Sequence, residues 1–294
     1  MLQSIGGLGL FLLGMIVMTD GLRSLTGHAI RNALMRFTRS PLSGAVTGAA
    51  TTALLQSSSA TTVAAVGFVG AGLMTFPAAL GIIFGANVGT TMTGWIVALL
   101  GLKLNLGTVV LPLIFIGAIL KLFGKDRIAK IGYGLAGFGL IFVGITMMQT
   151  GMSGLQEYFT PEQLPTETVL DILFLVLLGI ISTIITQSSS AGIAAALTAV
   201  YTGTLQLEQA MALIIGMDVG TTVTAALATI GGSIESRRTG LSHVIFNIFT
   251  AAGALLLIAP YIYIWETYLP DQLSSSAEIA LVTFHSTFNI LGVI

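Results

Sequence analysis

The chain has 294 residues, 54% of them hydrophobic and only 8% charged, with a mean hydropathy of +0.97 and a formal net charge of −1. Soluble domains carry roughly a quarter charged residues, so this composition excludes that class and points to an integral membrane protein. The 11 basic residues lie in short patches between apolar runs, which excludes a nucleic-acid-binding face, and the lack of cysteine excludes disulfides and thiolate chemistry.

Apolar segments near 5–22, 42–55, 60–73, 76–101, 108–123, 131–150, 168–186, 191–204, 209–231, 240–264 and 277–294 each predict a helix, because backbone facing lipid must bond to itself. The first lacks the basic leader of a signal peptide, and its text GLGLFLLGMIVMTDGL (7–22) returns as GFGLIFVGITMMQTGM (137–152), so it belongs to the fold. The second and third segments flank Gln56, Ser57, Ser58 and Ser59. The same tetrad returns as Gln187, Ser188, Ser189 and Ser190 between the seventh and eighth. A full span needs about 20 residues, and these flanking segments are mostly shorter. Pro41 to Gly72 and Thr168 to Gly203 therefore each read as a broken or re-entrant helix pair with QSSS at the break. In the fourth segment GANVGTT (85–91) has its counterpart in the ninth, GMDVGTT (216–222). Three matched blocks in one order are an internal duplication, divided as 1–130 and 131–294.

Charge sets the orientation. Arg23, Arg31, Arg36 and Arg39 follow the first span, whereas the equivalent stretch of the second copy carries Glu157, Glu162 and Glu167 and no Lys or Arg. Lys121, Lys125, Arg127 and Lys130 lie between the copies, and Arg237 and Arg238 follow the second GTT. The positive-inside rule puts these three basic patches in the cytoplasm, with residues 260–276 outside. The first span then runs inward and its copy outward. The predicted fold is an all-α polytopic membrane protein with an inverted-topology repeat and broken or re-entrant helix hairpins, in which a substrate site lies near the midplane between the copies.

Hydroxyls buried in hydrocarbon need partners, and consecutive ones point around the whole helix, so the duplicated tetrads read as a polar site. Any single one of Thr51, Thr52, Thr61, Thr62, Thr183 and Thr186 reads more readily as interhelical glue. Asp218, standing where the first copy has Asn87, is an acid within a span and so a functional candidate by default: a cation ligand, a proton carrier, or one half of a buried pair. Gly85, Gly89, Gly216 and Gly220 are candidates for local unwinding. HVIFN (243–247) and HSTFN (285–289) place His and Asn one turn apart on a helix face, read as packing hydrogen bonds, while His28 reads as a solvated residue of a basic loop. An intramembrane serine protease would need one nucleophile beside one base, which duplicated serines do not suggest, and no nucleotide-binding loop occurs. The expectation is that the chain is not an enzyme. A passive channel would use a continuous pore with a charged mouth.

The duplicated QSSS with a downstream G-x-N-x-G-T-[ST] resembles the type II sodium-dependent phosphate cotransporters, bacterial Na/Pi cotransporters among them, over nearly the whole chain. The resemblance implies sodium-driven import of inorganic phosphate by alternating access, with phosphate held between the tetrads (Gln56 to Ser59 and Gln187 to Ser190) near the midplane. The runner-up is a sodium symporter for another oxyanion or small solute. Bottom-up chemistry agrees, since serine hydroxyls, the amides of Gln56 and Gln187 and backbone N–H groups at half-helix N-termini are convergent donors. Sodium, a hard cation, is expected beside the tetrads at Asn87, Thr90, Thr91, Asp218, Thr221 and Thr222, with Thr61 and Thr186, where an unwound backbone would add carbonyls. Sodium is thus the co-transported ion, and no organic cofactor is expected. The family pattern has Asn in both copies, so Asp218 departs from it. Bacterial relatives often carry a cytoplasmic PhoU-like domain after the transporter. The end of this chain in an apolar run reads as a truncated piece with a cytoplasmic C-terminus, set in the cell membrane and able to meet such a domain or partner.

Overall fold

Every regular element among the described residues is helical, as backbone satisfaction inside hydrocarbon requires. The computed structural model describes residues 1–38, 40–156 and 160–294, so Arg39 and Glu157, used above for orientation, lie outside the described residues. In chain order the first half holds α1 (Leu2–Phe37), α2 (Pro41–Leu55), α3 (Ser58–Gly70), α4 (Phe76–Trp95) and α5 (Leu111–Phe123). The second holds α6 (Arg127–Ser153), α7 (Val169–Thr186), α8 (Ser189–Tyr201), α9 (Leu207–Leu227), α10 (Ile234–Tyr268), α11 (Pro270–Ser275) and α12 (Ala277–Val293). Six stretches are long and apolar enough to cross a membrane. The chain is a multi-pass membrane protein.

The equivalent helices α1 and α6 lie antiparallel against each other. A Cβ added at Gly14 would sit 2.9 Å from the Gly137 carbonyl, and one added at Gly144 would sit 2.7 Å from the Gly7 carbonyl. Gly7 and Gly14 are the counterparts of Gly137 and Gly144, so each contact maps onto the other when the halves are exchanged. This is the geometry of an inverted-topology repeat. Glycine is required here because the two backbones touch, a close approach that gives membrane helices dispersion contact without help from water.

Within each half the packing repeats. Gly85 and Gly89 of α4 meet the carbonyls of Ala45 and Ala49 of α2, while Gly216 and Gly220 of α9 meet those of Val176 and Ile180 of α7. Both pairs run parallel with a 40-residue offset (45 to 85, 176 to 216). Ala65 and Val69 of α3 share a core with Ala79, Ile82 and Ile83 of α4. Gly44 and Gly48 near the start of α2 meet the same stretch of α4. The start of α2 and the end of α3 therefore lie at one level, and the pair is a re-entrant hairpin with its tip at the QSSS. The expected Pro41 to Gly72 and Thr168 to Gly203 units take this form. Ser40 and Thr168 cap their entry helices with reciprocal capping boxes, and Gly72 and Gly203 close the exits at φ +69° and +71°.

Two expectations need correction. The stretch after the first span is not a loop, because α1 continues to Phe37 and carries Arg23, His28, Arg31 and Arg36 on helix. Residues 260–276 are mostly helical, divided between α10 and α11. Around Gly85, Gly89, Gly216 and Gly220 the backbone does not unwind; α4 and α9 run through them, and these glycines make room for neighbouring backbone. The departure from α geometry falls further on, where Ile96–Lys103 is π-helical.

Candidate functional site

At each hairpin tip one glutamine takes the left-handed backbone conformation that reverses the chain, Gln56 at φ 53° and Gln187 at φ 53°. For a non-glycine residue this costs on the order of 1–3 kcal/mol and persists only where the surroundings hold it. Gln56 Nε2 donates to Ala53 O at 2.6 Å, closing the last turn of α2, and its Oε1 accepts from Thr93 of α4 at 2.8 Å. Gln187 does the same with Ile184 O at 2.6 Å and Thr224 of α9 at 3.1 Å. Each amide thus clips its hairpin tip to the parallel partner helix. One N–H of each is already used, so these side chains are tip clips as well as cavity lining.

The next residue starts the second arm. Ser57 and Ser188 are N-caps, each accepting from the backbone N–H three residues on, at Ala60 and Ala191, at 3.2 Å. The remaining first-turn N–H groups of α3 and α8 have no intrahelical partner, and both helix dipoles present their positive ends at the tips. All eight tetrad residues, with Thr183, Thr221 and Thr224, line one cavity of about 60 Å³. At ~15 Å³ for each water-sized body, that is room for about four oxygen atoms. Its lining is all neutral: hydroxyls and amides, with no Lys, Arg, Asp or Glu. The halves also touch directly, since Ser190 Oγ lies 3.5 Å from Thr93 Oγ1. Such a place offers an anion many dipolar donors and no fixed countercharge.

A wider space of about 320 Å³ borders the tips and is lined by Thr19 and Asp20 of α1 together with Gln56, Ser57, Gln187 and Ser188. Its α1 wall includes Leu12 and Met15, whose counterparts on α6, Phe142 and Ile145, are fully buried in the core.

The cation candidates are dispersed. Thr90, Thr91, Thr221 and Thr222 donate to carbonyls of their own helices at 2.7 to 3.0 Å, which leaves their oxygen lone pairs outward. Thr221 lines the cavity and Thr186 the wider space. Thr61 donates to Ser57 O and accepts from Thr52, a bond that ties the two arms of the first hairpin across its tip. Its counterpart in the second half is Gly192, and there Thr183 Oγ1 is buried without a partner. Asn87 and Asp218 are held by residues the sequence reading treated as packing. His243 and Asn247 of α10 bond to Asn87, and His285 and Asn289 of α12 bond to Asp218. The packing role stands, but its targets are the two GTT motifs. Both clamps come from the second half, so the one on Asn87 reaches across the repeat boundary. Thr93 and Thr224 went unremarked. Their signal was present, for each stands two residues after its GTT, 37 residues after its glutamine.

Among the described residues both membrane histidines bond to the GTT motifs, and no tetrad serine is hydrogen-bonded to either. A family model described as Na+/Pi-cotransporter matches residues 10–150 and 167–282. The chain is 31% identical to YqeW of Bacillus subtilis, a protein named without a function, over 96% of this chain and 88% of that one. It is 27% identical to YjbB of Salmonella typhimurium, named provisionally as an inorganic phosphate export protein, over 99% of this chain and 52% of that one, and so spans about half the length of that relative. A 60-residue stretch is 50% identical to the human sodium-dependent phosphate transport protein 2B, covering 20% of this chain and 9% of that one. No solved structure matches.

Proposed function

The chain belongs to the Na+/Pi-cotransporter family, and on that premise we propose that it carries inorganic phosphate with sodium across the cell membrane by alternating access between the halves 1–130 and 131–294. The observation that carries this reading is the convergence of both tetrads on one uncharged cavity fed by two helix N-termini. Phosphate binds there through the hydroxyls of Ser57, Ser58, Ser59, Ser188, Ser189 and Ser190 and the free amides of the first turns, with Gln56 and Gln187 fixing the tips. Dipolar donors let the anion leave again, where a fixed arginine would hold it. Sodium binds beside the tetrads through oxygens of Thr61, Asn87, Thr90 and Thr91 in the first half and Thr186, Asp218, Thr221 and Thr222 in the second. Each charge then offsets the other's desolvation, which couples the two fluxes.

Orientation belongs to the same proposal, with a cytoplasmic C-terminus that faces any PhoU-like domain or partner. Cysteines introduced into this cysteine-free chain at Gln163 and at Arg36 are expected to label from opposite faces of the membrane in cells. Labelling of both from one face would remove the inverted orientation.

An inward sodium gradient drives import. The naming of YjbB for export supports a second reading, in which phosphate leaves the cell. Proteoliposomes of known orientation separate the two. Radiolabelled phosphate is expected to follow an imposed sodium gradient, and sulfate and arsenate as competitors test the choice of oxyanion. Phosphate flux that is indifferent to sodium would overturn the coupling, and net flux out of the cytoplasmic face under a physiological gradient would favour export.

A further inference from the structure

The two halves carry the same clamp with one chemical difference. In the first, Asn87 Nδ2 donates to Asn247 Oδ1 at 2.8 Å, Asn247 Nδ2 donates to His243 O at 3.0 Å, and His243 Nε2 lies 3.4 Å from Asn87 Oδ1. This set is neutral, and its amide groups pair donor to acceptor. In the second half Asp218 has no N–H to give. Asn289 Nδ2 reaches both Asp218 Oδ2 at 2.8 Å and His285 O at 3.0 Å, so Asn289 Oδ1 is left without a partner although Asn289 is 0% exposed.

The histidine meets the acid through one ring nitrogen only. His285 Nε2 lies 3.2 and 3.3 Å from the two carboxylate oxygens, while His285 Nδ1 is buried with no partner. An imidazolium would leave a buried donor unmet there, and the neutral tautomer with its N–H on Nε2 leaves none. His243 of α10 is the other ionisable group close to Asp218. Of the other elements packed on α9, α3 has no ionisable side chain, and Asp171 of α7 and Tyr201 of α8 stand at helix ends. A carboxylate that is 9% exposed thus forms no ion pair with Lys or Arg among the described residues and has an unmet amide oxygen beside it. An isolated buried charge is costly, and a bound cation offsets it.

We propose that Asp218 and Asn289 Oδ1 bind a sodium ion between them, and that this carboxylate–amide site, separate from any ion held by Asn87 Oδ1 with the first-half threonines, exists in the second half alone. When the Asn289 amide turns so that Oδ1 faces the acid, as Asn247 Oδ1 faces Asn87, its Nδ2 keeps the bond to His285 O. Sodium then takes the place of the N–H that Asn87 supplies in the first half. His285 and Asn289 are on α12, so the ion also ties α12 to α9. The choice of sodium among monovalent cations rests on the transport reading above; the existence of the site does not.

The test is radioactive sodium binding to the purified chain in detergent without phosphate, with potassium as competitor. Asp218→Asn, which rebuilds the first-half clamp, is expected to bind one sodium fewer per chain than wild type. Asn289→Ala is expected to raise the half-saturating sodium concentration about tenfold. Equal counts in wild type and Asp218→Asn overturn the proposal, as does an unchanged half-saturating concentration in Asn289→Ala. Should Asp218→Asn fail to fold, Asn87→Asp decides, since it should create a second acid-type clamp and gain one sodium; no gain overturns the proposal. With no phosphate present, failure of phosphate transport leaves this result standing, and preferential displacement by potassium would correct only the ion's identity.

Discussion

Phosphate binding is expected to fall at least 100-fold when Ser58 and Ser59 are changed to alanine, and equally when Ser189 and Ser190 are changed. A hydrogen bond to a charged group contributes about 1.5–3 kcal/mol, so two lost hydroxyls predict roughly 10² to 10⁴ in affinity. Ser57 and Ser188 are left intact in this experiment, because they cap α3 and α8 and their loss would cost about 1 kcal/mol of helix stability besides. Equilibrium binding of radiolabelled phosphate to purified variants at saturating sodium gives the answer. The equality of the two effects is the informative part. Both tetrads line one cavity, so a large loss from one pair with none from the other would mean a one-sided site and would break the shared-site reading.

The second large effect is expected in the fold itself. Gly14→Leu should prevent recovery of a monodisperse protein, and Gly137→Leu should do the same, whereas Gly9→Leu should be tolerated. A Cβ at Gly14 would lie 2.6 Å from Ile141 N and 2.9 Å from Gly137 O, and both neighbours are backbone that cannot swing aside. Even ordinary overpacking costs about 1–3 kcal/mol, and here the two helices must separate along the contact that joins the halves. At Gly9 an added Cβ meets nothing within 4 Å. Size-exclusion profiles after detergent extraction check all three, and a normal profile for Gly14→Leu would show that the α1 to α6 contact is dispensable.

The architecture was largely legible because duplication makes a sequence its own comparison. The recurrence of QSSS located both breaks to the residue: α2 ends at Leu55 and α7 at Thr186. Charge alternation between the copies gave an inverted arrangement, and the antiparallel contact of α1 with α6 has that form. What could not be read was which polar atoms meet. The glutamine amides, expected as anion donors, spend one N–H on their own helix because a left-handed tip must be held. The glycines of the GTT motifs looked like sites of unwinding, since glycine permits both unwinding and close approach; only the position of the Ala45 and Val176 carbonyls decides between them. The reach of α10 across to Asn87 depends on how helices far apart in sequence are placed, about which a helical period says nothing.

The wide space beside the tetrads lies against α1, while on α6 the counterpart side chains Phe142 and Ile145 are fully buried. In a molecule whose halves are inverted copies, the shape of one half is also an instruction for the other. If α6 adopts the surroundings that α1 has here, the tetrads become reachable past Phe142, Ile145, Thr146, Gln149 and Thr150. The two walls are not chemically alike, because the position of Asp20 is taken by Thr150. The space beside the tetrads thus has an acid in its α1 wall, where the α6 counterpart offers a neutral hydroxyl. The two mirror forms would therefore differ in how they gather ions, even where they hold them alike.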